Sequence, residues 1–97
     1  MTDALTGPIS PGEREWFPAE DWDADSYIYD GKREAWLALM IAARPGTGAL
    51  SRLMKEIWAS GRTVIVPCPL YQMRSILEAK GFLPVDKDPC LIFARGP

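Results

Sequence analysis

IAARPGTGALSRLMKEIW, residues 41–58, runs from an apolar stretch through Pro45 and a Gly-Thr-Gly turn into a segment with helical spacing. Leu50, Leu53, Met54, Ile57 and Trp58 fall at i, i+3, i+4, i+7 and i+8. One apolar stripe therefore faces a core, while Ser51, Arg52, Lys55 and Glu56 take the other side. Thr47 stands where a hydroxyl can cap the helix start, and Ser60-Gly61 ends the helix. Upstream, REAWLALMIAA (33–43) is apolar on both faces and is stopped abruptly by Pro45 and the glycines, which reads as a central strand, with a helix as the alternative. A strand that delivers a Gly-x-Gly turn to a helix start bares backbone N–H groups at the positive end of the helix dipole, which suits an anion. The same glycines equally make a plain tight turn that lets the helix pack closely on the strand.

On either side of this joint the signals alternate. SYIYD (26–30) is β-prone and closed by Asp30-Gly31, a hairpin turn. TVIVP (63–67) is short and β-branched, a buried strand from which Pro67 and Pro69 force an extended exit. A second helix follows, with Pro69 in its first turn, Leu70, Met73, Ile76 and Leu77 facing inward, and Gly81 at C′, where Phe82 folds back on Leu77 or Ile76. CLIFAR (90–95) is a last strand. From residue 26 the order is strand, strand, helix, strand, helix, strand. The expected class is α/β (α+β), a mixed and mostly antiparallel sheet with two main helices, too short to be doubly wound. Residues 1–12 read as an irregular lead-in and 13–97 as one domain, whose first part (13–25) interleaves aromatic and acidic residues.

Composition narrows the chemistry. The chain has 97 residues, 47% hydrophobic and 25% charged, which fits one small globular core. No apolar run approaches the ~18 residues of a membrane span, and residues 1–10 lack the pattern of a signal peptide; the expectation is a cytoplasmic protein with no membrane partner. There is no histidine, and Cys68 and Cys90 stand 22 positions apart, so neither a Cys/His zinc site nor a histidine-based triad can be assembled, and no metal is expected. Both cysteines read as reduced core thiols. Residues 1–30 hold eight acids against Arg14 alone, and residues 31–97 ten bases against five acids. Either the two parts neutralise each other, or the basic part handles an anion while the acidic part faces a cation.

A Walker A loop is excluded because no Gly-Lys-Ser/Thr follows the glycines, and a dinucleotide fingerprint lacks its third glycine, at Ser51, and an acidic ribose ligand after Thr63–Pro67. ARPGTG, ALSRLMKEIWASG, TVIVP, LYQMRSILEAKGF and LPVDKDPCLIFAR, in that order, resemble the second half of the GNAT acetyltransferase superfamily: a central strand, a glycine loop, a helix, a strand, a helix ending in Gly-Phe, and a closing hairpin. Two positions depart from the family pattern. Ala43 stands where the loop motif carries Arg or Gln, with Arg44 next to it, and Leu77 stands where many members carry a tyrosine that protonates the leaving thiolate.

The resemblance implies a reduced acetyltransferase fold that binds acetyl-CoA. Its pyrophosphate would lie on Gly46, Thr47, Gly48 and Ala49, with Arg44 beside them, and its pantetheine arm would run along the backbone of Met40, Ile41 and Ala42. A small-molecule or peptide amine would attack the thioester, with Glu34 as candidate base and Tyr71 as candidate proton donor to the thiolate. A second reading keeps the fold without the catalysis, as an interaction or assembly component with a protein partner or as a homodimer; exposed tryptophans, Trp16 or Trp22, would favour it. The small size also suits a phage-encoded member, for which a virion is the alternative location to the cytoplasm. Nucleic acid is not an expected partner, because the bases of 31–97 are scattered and the acidic part repels phosphate.

Overall fold

Asp30 and Gly31 turn the chain between the two strands that begin the sheet. The computed structural model describes residues 7–87 and 91–97, with the backbone alone at Tyr71. In chain order the elements are β1 Pro8–Ile9, β2 Tyr27–Asp30, β3 Glu34–Leu39, α1 Ala49–Ala59, β4 Thr63–Pro67, α2 Tyr71–Ala79, β5 Leu83–Asp86 and β6 Ile92–Arg95. Among the described residues the strands form one sheet in the order β1-β2-β3-β4-β6-β5. β3 and β4, joined through α1, are parallel, and the other neighbours are antiparallel. This is the mixed, mostly antiparallel sheet with two helices expected from the sequence.

The core lies on one face of the sheet. Ile28, Ala35, Leu37, Val64, Val66 and Phe93 point there and meet Leu53, Met54 and Ile57 of α1 and Leu77 of α2. Phe17 and Trp22, from the aromatic and acidic segment, close the same core beside Ile9. Both helices end in the same way: Gly61 N–H donates to Trp58 O and Arg62 N–H to Ile57 O, while Gly81 N–H donates to Glu78 O and Phe82 N–H to Leu77 O. These paired bonds satisfy carbonyls that the last helical turn leaves open. Phe82 is thereby turned into the core, its ring 6.0 Å from that of Trp58.

Several expectations are corrected. The lead-in is not wholly irregular, because Pro8–Ile9 pairs with Tyr29 and Ile28 as an edge strand, two residues being too few for a periodic signal. The central strand ends at Leu39 rather than continuing to Ala43. The last strand begins at Ile92, and Cys90 lies outside the described residues. Pro69 precedes the second helix, whose cap position is Leu70. Leu70 is therefore outside the helix and 83% exposed, and Ile76 is 44% exposed, so of the four residues expected inward only Leu77 is fully buried. Trp22 is buried and Trp16 half-buried, stacked beside Phe17 and covered by the Arg62 guanidinium, so neither provides an exposed aromatic surface. Cys68 is disulfide-bonded, not a free thiol; its N–H donates to Leu91 O, which brings the end of β4 beside the chain entering β6.

The two differently charged parts meet. Arg62 pairs with Asp30 and also donates to Gly31 O, Arg14 reaches the other oxygen of Asp30 at 3.4 Å, and Arg52 pairs with Asp21 at 3.4 Å. The Arg62 and Asp30 side chains are only 11% and 15% exposed. Removing one member of a largely buried pair leaves the other charge uncompensated, so Asp30→Ala is expected to lower stability by about 3 kcal/mol. Urea unfolding measures this; a loss below about 1 kcal/mol would mean the pair behaves as a surface bridge.

Candidate functional site

β3 and β4 stay paired for only three positions, Glu34 with Thr63, Ala35 with Val64 and Trp36 with Ile65. Beyond Trp36 they part. On one side, the β2–β3 register shifts between Tyr27 and Ile28, which pair with Leu39 and Leu37, so Ala38 is an extra residue in β3, a bulge that bends the strand. On the other side, β4 ends in Pro67, which has no N–H to offer a ladder, while it stays in register with Ile92 of β6.

The extension of β3 is held away from β4 by the N-terminal segment. Ser26, buried, accepts from Ile41 N–H at 2.9 Å and donates back to Ile41 O at 3.2 Å. Asp23 N–H donates to the same Ile41 carbonyl, and Ala43 N–H donates to Asp21 O, forming a bridge between Trp22 and Ala42. The acidic and aromatic segment therefore acts in the structure as a strap that draws residues 41–43 outward.

Two separate cavities lie beside the strand extension, one toward each end of α2. At one end a cavity of about 290 Å³ is lined by Leu37, Leu39, Met40, Val66, Pro67 and Met73, with Cys68 at the end of β4. Cys68 has a left-handed backbone, φ 49°, alone among the described non-glycine residues, a conformation that costs free energy and is kept here by its disulfide and its bond to Leu91. At the other end a second cavity, also about 290 Å³, is lined by Arg44, Gly46, Gly48, Ser51, Ile76 and Lys80. Met73, Ile76 and Lys80 lie three and seven residues apart, on one flank of α2, and span about 10 Å of helix. The first end is apolar and the second is cationic.

The cationic end is built around α1. Gly46 and Gly48 have φ of 83° and 79°, and Gly48 occupies the helix cap position with no side-chain cap bond. Thr47 does not cap the helix, contrary to expectation, because its hydroxyl donates to Arg44 O at 2.8 Å across the turn. The first-turn N–H groups of α1 are consequently left without a side-chain acceptor. A Cβ on Gly46 would meet nothing within 4 Å, so the space above the turn is open. Lys80 Nζ donates to Ser51 Oγ at 2.6 Å, fixing an ammonium beside these amides. Among the described residues, no carboxylate lines this cavity.

The expected site residues distribute unevenly. Arg44, Gly46, Thr47, Gly48 and Ala49 line the cationic end together with Ala42, and Met40 lines the apolar end. Ile41 lines neither, its backbone being committed to Ser26 and Asp23. Glu34 opens β3 at the opposite end from the gap, five residues and about 17 Å before Leu39, and accepts from Trp36 Nε1 at 2.8 Å. Tyr71 is the first residue of α2, next to the apolar end. The α2 wall, Met73, Ile76 and Lys80, was not anticipated; its signal was the shared helical flank. A further cavity of about 330 Å³, between Glu15, Trp16, Asp21 and α1, has its one cation, Arg52, already engaged with Asp21 and Thr47 O.

Ser26→Ala leaves the Ile41 N–H without its acceptor and frees the strap. It is expected to cost about 1–3 kcal/mol and to speed amide exchange at residues 38–43 more than in β4. Equal exchange in both strands would show that the strap does not set the gap. No protein-family model, curated protein or solved structure matches the chain.

Proposed function

We propose that the two cavities together bind a CoA thioester and that the protein transfers its acyl group to an amine, in the manner of a reduced GNAT acetyltransferase. The observation that carries this reading is the pair of cavities along α2: an apolar one at the parted strands and a cationic, amide-rich one at a helix start. A CoA thioester has the same division, an uncharged arm joined to a diphosphate. First-turn amides of α1 and the Gly46–Gly48 turn would hold the diphosphate, with Arg44 and Lys80 as its counter-charges. Met40 and Ala42 make no backbone hydrogen bonds to other described residues, which leaves their polar groups free to pair with an extended amide-bearing chain. Leu37, Val66 and Met73 would keep water from the reacting carbonyl.

The bound thioester supplies an activated acyl carbon. The amine nitrogen forms a bond to that carbon, the carbon–sulfur bond breaks, the departing sulfur is protonated, and the ammonium proton passes to water. Tyr71, at the start of α2, is the candidate donor to sulfur. Glu34 stands too far along β3 to serve as the base. A second reading, a CoA-binding component without turnover, is favoured by the side chains described around the apolar end, which include no carboxylate.

Calorimetric titration with CoA is expected to give saturable 1:1 binding, and a hundredfold excess over Kd adds about 2.7 kcal/mol to stability. Lys80→Ala and Arg44→Ala should each weaken CoA by about tenfold while leaving pantetheine binding unchanged. No binding at millimolar CoA would overturn the proposal. With binding established, acetyl transfer to a polyamine or lysine peptide separates the two readings. Tyr71→Phe should slow turnover at least ~10²-fold with little change in CoA affinity, whereas absence of turnover in the parent protein leaves the binding component.

A further inference from the structure

The helices and the N-terminal segment all lie on one face of the sheet, and the opposite face is apolar. Residues paired across a ladder point to the same side. Tyr29, Trp36, Ile65, Ala94 and Leu83 stand in register across β2, β3, β4, β6 and β5, in the phase opposite to the core residues. Tyr29, Trp36, Ala94 and Leu83 stand outside the core cluster, while Ile65, at the centre of the stripe, is buried at 7% exposure. Tyr27 extends the stripe and meets the Tyr29 ring edge-on at 5.9 Å. An antiparallel sheet with one face in water places polar residues there. This face instead carries a stripe whose ends, Tyr29 and Leu83, are 37% and 68% exposed, and charge enters its strand positions only at the rims, Glu34 and Asp86.

We propose that this face is the interface of a homodimer, with the open sheet of one copy packed on that of a second. The chain measures about 32 × 32 × 24 Å. The projected area of its broad side is about 1,000 Å², room for the ~800 Å² per side of a standard stable interface. The near-absence of charge selects a like surface: it offers nothing for an oppositely charged partner to read and imposes little repulsion between two copies. A stripe that crosses the whole sheet at one register is also self-complementary under a twofold axis normal to the sheet, giving a closed aligned packing of two sheets. Pro67, two positions beyond Ile65 in β4, and Leu39, paired with Tyr27, stand on this face and also line the apolar cavity.

Light scattering and sedimentation equilibrium across the micromolar range are expected to give twice the chain mass. Tyr29→Lys with Leu83→Lys places two ammonium groups on the stripe at positions already exposed in one copy. It should leave the circular dichroism spectrum unchanged and raise the dimer dissociation constant by about tenfold or more. Should the double variant fail to fold, Leu83→Lys alone, on the edge strand, carries the same test. A monomer at every concentration, including one in which another protein covers the face, overturns the proposal, as does a dimer whose dissociation constant is the same in the parent and in the folded variant.

Discussion

The Ser26 hydroxyl, bonded both to the N–H and to the carbonyl of Ile41, is the constraint from which the gap between β3 and β4 follows. Without it and the Trp22–Ala42 bridge, residues 40–43 would be free to continue the parallel ladder with β4, and the space between the strands would close. A sheet rarely gives up adjacent backbone hydrogen bonds, because each unpaired buried group costs free energy. Here Ser26, Asp21 and Asp23 take up the outer polar groups of 41–43, and Met40 and Ala42 are left facing the gap. The bulge at Ala38 and the proline at the end of β4 complete the separation.

This arrangement gives the acidic segment a structural role. Asp21 and Asp30 each engage arginines from the later part of the chain, and the backbone of 21–26 straps the strand extension. The charge division visible in the sequence is thus partly an internal neutralisation. Of the bases that remain, Arg44 and Lys80 line one cavity together with the start of α1. In the proposed complex, helix start, glycine turn and ammonium would act together on one anion, each contributing a modest share.

Much of the fold is legible in the sequence because its signals are local. The apolar stripe of α1, the glycine stops of both helices and the β-branched run of β4 depend on neighbours within a few residues. The missing pieces depend on tertiary context. β1 has two residues, and β5 is an exposed Leu-Pro-Val-Asp edge strand whose proline argues against a strand until its pairing with β6 is seen. The extent of the central strand misleads because 40–43 is as apolar as 35–39, and contacts distant in sequence, the Ser26 hydroxyl and the Trp22–Ala42 bridge among them, draw that stretch away from the ladder. Thr47 looks like a cap, but its hydroxyl closes the turn onto Arg44 instead. The loop side of the site was visible in Gly46 and Gly48. The α2 side was not, because Ile76 reads as core until Leu77 is seen to fill that place.

The apolar and cationic cavities, set beside the strapped strand extension and walled by α2, together form the proposed ligand site. Amide chemical shifts recorded during a titration with CoA test this assignment most directly. Perturbations are expected to concentrate on residues 38–42, 46–51 and 73–80 and to saturate together with a single Kd. Saturating shifts that instead cluster around Glu15, Asp21 and Glu56, or that move the glycine turn without the α2 flank, would contradict it.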